Sequence, residues 1–322
     1  MTPEPDSGAT HELRVSINPP DKFFRAGVDE RRELLAHIAA SGLDGVLFAD
    51  HVSFRGGSGM DALTLMAGLS QLHPTLEVAL AVFVLPLRHP VPVARSLSTL
   101  AQLAPGRIVF GVGIGGEDRH EIAVCGVDPR TRGRRCDEQL AILRPLLAGE
   151  TVTFHGEFYD IDEALILPAP NPPIPVLIGG RSDAALRRAG RFGDGWLATW
   201  CSAARFRQAV ALINDTAHGA GRDNVVWQHG YQTWVGLGSD HRSAKAHVKA
   251  AMEAFYRIGF EAFERYTPSG TPANVAEFLA PFVEAGVRRF HLTPCTARAE
   301  EATELAGEVK RCLARQLGLQ MV

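Results

Sequence analysis

Eight short apolar runs, each followed by a segment of helical period, constrain this chain more than any other feature. Runs rich in Val, Ile and Leu that alternate with helix-period segments mark strands, and the one at 76–84 is almost wholly apolar, as expected for a strand buried on both faces. They read at 13–18 (LRVSIN), 45–50 (GVLFAD), 76–84 (LEVALAVFV), 107–115 (RIVFGVGIG), 175–180 (PVLIGG), 195–200 (GWLATW), 225–236 (VVWQHGYQTWVG) and 288–294 (RRFHLTP). The first helix is expected to be capped by Asp29, with Leu34, Leu35, Ile38 and Ala39 on one face. Others are predicted over 61–72, 92–103, 136–149, 182–193, 203–219, 241–264, 272–285 and 299–317. The stretch 117–135 is polar and rich in turn formers and predicts a long loop; 151–161 alternates and predicts a small hairpin outside the main sheet. Eight strand–helix units predict a closed (βα)8 TIM barrel, with a doubly wound sheet as the alternative.

With 322 residues the chain is long for one domain. Barrels of this kind nevertheless run to about 250 residues and more as a unit. Residues 11–322 therefore read as a single domain, preceded by a loose polar tail at 1–10. Net charge is −3 and no basic block stands out, so the chain offers no footing for nucleic acid or anionic lipid. The longest apolar run, at 78–87, is too short to span a bilayer, and MTPEPDSGAT has no apolar signal core. Cys125, Cys136, Cys201, Cys295 and Cys312 form no C-x-x-C pair and read as reduced thiols of a cytoplasmic protein.

Within FGVGIGG (110–116), Gly111, Gly113 and Gly116 fit G-x-G-x-x-G. A dinucleotide turn also needs a helix opening inside the motif and an acidic residue ending the next strand about 20 residues on. Here a polar stretch follows Gly116, and the region near 136 is helical in pattern, so that reading fails. Glycines at the end of a barrel strand instead let a flat ring lie close to the backbone, or merely ease the barrel's curvature.

Barrel sites lie where strands end and the following loops begin. Asn18, Asp50, His51, Gly113, Gly115, Gly179, Gly180, Thr199 and Thr293 fall at such ends. An imidazole at His51 suits proton transfer near neutral pH, with Asp50 as its orienting partner; the plainer reading is a loop histidine held by Asp50. Gly179, Gly180, Arg181 and Ser182 join a strand end to a helix start, where free N–H groups and the helix dipole attract an anion, or where Ser182 simply caps a helix. Glu117, Asp118, Arg119 and His120 are candidates to face a substrate, Arg88 and His89 to line the rim, and Trp196, Trp200, Trp227 and Trp234 to wall a pocket. A metal-dependent hydrolase would need converging ligands at the strand ends, and only Asp50 and His51 qualify.

Several ordered motifs together resemble the bacterial luciferase-like family of flavin- and deazaflavin-dependent oxidoreductases. They are FADH (48–51), LPLRHPVPVARSLSTLAQLAPGRIVFGVGIG (85–115), GVDPRTRGRRCDEQLAILRPLLAGE (126–150) and PVLIGGRSDAALRRAGRFGDGW (175–196). The resemblance implies a (βα)8 barrel, often a homodimer, holding FMN or the 5-deazaflavin coenzyme F-420 at its C-terminal rim and acting on a small organic substrate. It implies a functional histidine at His51, a cofactor phosphate just after the strand ending at Gly179 and Gly180, and a non-proline cis peptide within Ala81-Val82-Phe83, behind the ring. The FMN branch commonly carries an arginine between the last glycines of the fourth strand; Ile114 stands there, which favours F-420. The excess of arginine over lysine, 29 to 4, points weakly the same way, towards a GC-rich actinobacterial source. The expected activity is hydride transfer with F-420; the alternatives are a reduced-FMN monooxygenase and a non-catalytic flavin-binding protein. Substrate selection falls to 52–60, 116–135 and 256–273.

Overall fold

The computed structural model describes residues 13–55, 57, 59–116 and 118–318. The tail expected at 1–10 and Glu117 lie outside them. The described strands are β1 (Arg14–Ile17), β2 (Gly45–Phe48), β3 (Glu77–Val84), β4 (Ile108–Gly113), β5 (Val152–His155), β6 (Asp160–Ala164), β7 (Val176–Gly179), β8 (Gly195–Thr199), β9 (Gly230–Leu237), β10 (Ser269–Gly270) and β11 (Arg289–Cys295). Parallel pairing runs β1–β2–β3–β4–β7–β8–β9–β11 and closes from β11 onto β1. Eight strands thus form the predicted barrel. β5 and β6 make the predicted hairpin apart from it, and the short β10 adds to the upper end of β9.

The helices are α1 (Lys22–Arg25), α2 (Val28–Ala40), α3 (Ala62–Ser70), α4 (Pro90–Leu103), α5 (Arg119–Val124), α6 (Arg132–Leu147), α7 (Asp183–Phe192), α8 (Ala203–Gly219), α9 (His241–Tyr256), α10 (Pro272–Glu284) and α11 (Ala302–Leu317). Side-chain caps at Asp61, Asp118, Ser182, Ser202 and Asp240 start α3, α5, α7, α8 and α9 by accepting backbone N–H groups. Asp29 is not such a cap. Gly27 holds that position and Asp29 lies in the first turn of α2, where its charge meets the helix dipole. The predicted loop at 117–135 contains α5 and the start of α6. The seventh barrel strand begins at Gly230 rather than 225, and α9 stops at Tyr256, where Arg257 takes a left-handed conformation (φ 58°).

Two helices therefore follow β9. α10 packs on α8 and α11 and completes the outer ring, whereas α9 lies against β9, β10 and β11 and brings its end to the loops after β2 and β8. It is an insertion across the C-terminal face.

Strand alternation divides the core in two. Val46, Phe48, Val15, Ile17, Phe290 and Leu292 pack outward in the large core under the helices. Leu47, Ala79, Ala81, Val109, Leu177 and Leu197 form a separate small cluster inside the barrel. The opposite inner wall is polar: Ser16 is in register with His291, and His291 with Gln232. Below them Arg289 donates to Glu77 (2.7 Å) and to Gln228 (2.9 Å).

Two buried histidines make the fold sensitive to acid, His291 on that wall and His229 just before β9, against Trp227 and Phe206. Burial holds His291 neutral, with its pKa pushed down to about 3; His229, whose Nδ1 accepts the Trp196 N–H at 3.0 Å, is pushed down to about 4. An unfolded chain protonates both near 6.5. The unfolded state thus takes up protons first as pH falls, and stability, full above about pH 6.5, drops down to about pH 4 for His229 and about pH 3 for His291. Each contributes a slope of about 1.4 kcal/mol per pH unit at most. Denaturant melts between pH 7 and 4 should show that fall, and His291→Leu should remove roughly half of it. An unchanged slope in that variant would remove His291 from the account.

Candidate functional site at the barrel mouth

The second strand delivers Asp50 and His51 to the C-terminal rim, as expected, but not as partners. The Asp50 side chain is fully buried and accepts from the Val84 backbone N–H at 2.9 Å and from Arg88 Nη2 at 2.7 Å, with Arg88 Nη1 on its other oxygen. Arg88 also lies over the Phe83 ring, 4.4 Å from its centroid. Asp50 therefore ties the β2 end to the β3 end. His89, instead of lining the rim, caps α4 and packs edge-on against Tyr159.

The partner of His51 is Glu121, on the helix that the polar sequence had concealed. Glu121 Oε2 stands 3.1 Å from His51 Nδ1, while Oε1 accepts from the Val52 N–H (2.6 Å) and the Ser53 N–H (3.2 Å). The carboxylate is almost wholly buried, the imidazole one quarter exposed. Phe54 stacks on the His51 ring at 4.0 Å. Asp118 accepts from the Arg55 N–H at 3.2 Å, and that hydrogen bond holds its carboxyl below the ordinary range. Arg119 and His120 are exposed on α5. Seventy residues separate Glu121 from His51. Only an acidic residue three places into a capped Asp-Arg-His-Glu helix start hinted at it.

β3 bulges where it meets β4: the pairing slips between Leu80 and Phe83, and the Ala81–Val82 peptide bond is cis. The glycines opposite make room for this bulge. A Cβ on Gly111 would stand 2.0 Å from the Leu80 carbonyl oxygen, one on Gly113 2.3 Å from Val82 Cγ2, and one on Gly179 3.0 Å from Val82 Cγ1. The missing side chains are thus filled by β3 itself. Gly113 and Gly179 seat Val82, whose half-buried side chain sits between them. Gly115 has φ +67° and packs against Val84 and Ile122, turning the chain from β4 towards α5.

Beyond β7, Ser182 caps α7, its Oγ accepting the Ala185 N–H at 3.3 Å, and the Gly180 carbonyl accepts Trp196 Nε1 at 2.7 Å. The next unit repeats the device: Ser202 caps α8 through the Arg205 N–H at 3.2 Å. Between the two helix starts lies a cavity of about 210 Å³ lined by Arg181, Trp196, Trp200, Cys201, Ser202, Arg205 and Tyr266. Arg181 stands over the Trp200 ring (5.1 Å), and Arg205 reaches Asp183 at 3.3 Å. Burial pushes the Cys201 thiol up to about 12, so the cavity's charge is that of its arginines. Ser202 and Arg205, which the sequence reading passed over, line this cavity with Arg181, whereas Gly179, Gly180 and Ser182 are not part of its lining.

The four tryptophans divide. Trp196 packs outward on Phe206, and Trp227 stacks on His229 at the lower end of β9. Trp200 and Trp234 remain at the mouth with Tyr256 and Phe263. Asn18 and Thr199 are half-buried at their strand ends and Thr293 is buried. Among the described residues, no three His, Cys, Asp or Glu side chains gather at metal-binding spacing.

A family model described as luciferase-like monooxygenase matches residues 10–289. An uncharacterised protein of Mycobacterium bovis is 41% identical over 138 residues, 43% of this chain and 47% of that one. An F420-dependent glucose-6-phosphate dehydrogenase of Nakamurella multipartita is 33% identical over 215 residues, 62% of this chain and 58% of that enzyme. The chain thus spans about half the length of the curated relatives it matches. In fold it is similar to an F420-dependent secondary alcohol dehydrogenase solved with an F420-acetone adduct, at 18% identity and a TM-score of 0.80, over 94% of this chain and 99% of that one.

Proposed function

The chain belongs to the luciferase-like monooxygenase family, and from that premise we propose that it is an oxidoreductase moving hydride to or from a small organic substrate with coenzyme F-420. The observation that carries the reading is the pairing of His51 with buried Glu121 at a barrel mouth that also holds a two-arginine anion cavity. The residues fit the cofactor. Two capped helix starts with Arg181 and Arg205 suit its acidic tail, and the bulge at Ala81, Val82 and Phe83, seated by Gly113 and Gly179 and followed by Gly115, would back its ring. When bound, the deazaflavin supplies the hydride chemistry.

His51 then handles the proton. Glu121 accepts from Nδ1–H, so the neutral imidazole presents Nε2 as an acceptor for an alcohol proton, and the protonated ring returns it. Asp50 supports this pair by fixing the β2 and β3 ends rather than by touching His51. F-420 is favoured over FMN by Ile114, between Gly113 and Gly115 at the end of β4, and by the F420-dependent relatives. The apolar groove between α2 and α3, lined by Val28, Met60, Leu65 and Leu72, supports the homodimer reading, and the free cysteines support a cytoplasmic one. Among the described residues no helix is long and apolar enough to cross a membrane.

Titration with F-420 and with FMN, followed by cofactor fluorescence, tests the reading. Saturable binding of F-420 is expected, weakened about tenfold in Arg205→Ala, the loss of one charge-assisted contact. Binding of FMN alone would turn the assignment to the monooxygenase.

A further inference from the structure

We propose, resting on the reading above, that the substrate side of the mouth takes an uncharged, largely apolar molecule with a flat or aromatic body, and not a sugar phosphate. The observation is a continuous run of aromatic rings from His51 to the anion cavity. His51 stacks on Phe54, Phe54 meets Phe255 (6.3 Å), Phe255 meets Trp234 (5.8 Å), Tyr256 spans Trp234 (6.0 Å) and Trp200 (5.2 Å), and Trp200 carries Arg181. Such separations are those of interacting rings, and the faces they present favour apolar and aromatic partners. Four elements converge to build the run: the β2 loop, β9, the β8 end and the inserted α9. Trp200, Trp234 and Tyr256 are anchored by Val248 and Met252 of α9 and by Phe260 and Phe263.

The polar groups around the run are already engaged. Trp234 Nε1 donates to the Tyr256 hydroxyl at 3.1 Å. The guanidinium of Arg55 donates to the Phe255 carbonyl and lies 4.7 Å over Phe54. Lys249 is held by Glu253 and Glu261, and Lys245 by Glu264. Behind the β2 loop stand two carboxylates, Glu121 and Asp118. Arg119 and Arg257 are exposed. An anionic substrate beside His51 would lose its hydration against aromatic faces and stand beside the buried Glu121 carboxylate, while the guanidinium over Phe54, that of Arg55, is already turned to the Phe255 carbonyl. The rim itself is apolar: Val52, Phe255 and Ile258 are 48%, 41% and 52% exposed. These side chains lie where an apolar substrate would cover them.

Calorimetric titration of the F-420-saturated full chain with 2-naphthol and with glucose 6-phosphate tests this. We expect saturable binding of 2-naphthol, weakened about tenfold in Phe255→Ala. No saturable binding of glucose 6-phosphate is expected. Phe255 is exposed enough for the variant to keep its fold, and retained F-420 fluorescence checks it. Saturable glucose 6-phosphate binding that Arg257→Ala abolishes would overturn the proposal, as would 2-naphthol binding indifferent to Phe255. If F-420 itself fails to bind, the cofactor reading fails first and separately. The same two titrations on the unloaded chain then still decide the substrate class.

Discussion

Loss of the His51 imidazole is expected to lower kcat by about 10²- to 10⁴-fold, the range of one positioned general acid–base. F-420 affinity should change little, since the cavity proposed to hold its acidic tail lies after β7 and β8 rather than β2. His51→Ala removes the ring outright. Glu121→Gln is the sharper probe of geometry. Its amide oxygen can still accept the Val52 and Ser53 N–H groups, but its NH₂ now faces Nδ1 and favours the opposite tautomer. Glu121 is a positioning residue on this view, so the variant should lose kcat with an altered pH profile while KM and the melting temperature hold. Steady-state kinetics across pH decides it: a Glu121→Gln enzyme with the parent profile would dissolve the pairing, and a fully active His51→Ala enzyme would remove the proposed proton carrier.

The second large effect concerns stability. Asp50→Ala should destabilise the fold by about 3 kcal/mol, the lower end for removing one partner of a buried ion pair, because Arg88 keeps one fifth of its side chain in solvent. The substitution also leaves the Val84 N–H without its acceptor, and the β3 end loses its tie to the β2 end. Asp50→Asn retains an oxygen for Val84 but not the charge for Arg88, and should fall between the two. Equilibrium denaturation of the three proteins orders them. A loss well under 1 kcal/mol in Asp50→Ala would mean that Arg88 finds water or Asp61, 3.5 Å away, instead.

Both effects depend on contacts that strand patterns cannot predict. The alternation of apolar runs and helical periods was enough for the barrel, because a strand buried on both faces and a helix with one apolar stripe each write their environment into local composition. Ser182 was legible for the same reason: a helix cap is a contact between residues three apart. The placement of His51 at a strand end followed from the barrel alone.

What the tertiary structure decided was partnership. Asp50 and His51 are adjacent in the chain, yet they turn to Arg88 and to Glu121, 38 and 70 residues away. Gly111, Gly113 and Gly179 serve a bulge on a neighbouring strand, so their motif could be read only once Val82 was in place. The insertion α9 carries helical periodicity like any other helix, and nothing in that period says that it crosses the mouth. Periodicity reports which face of an element is buried. It does not report what buries it, and the chemistry proposed for this barrel lies in that second fact.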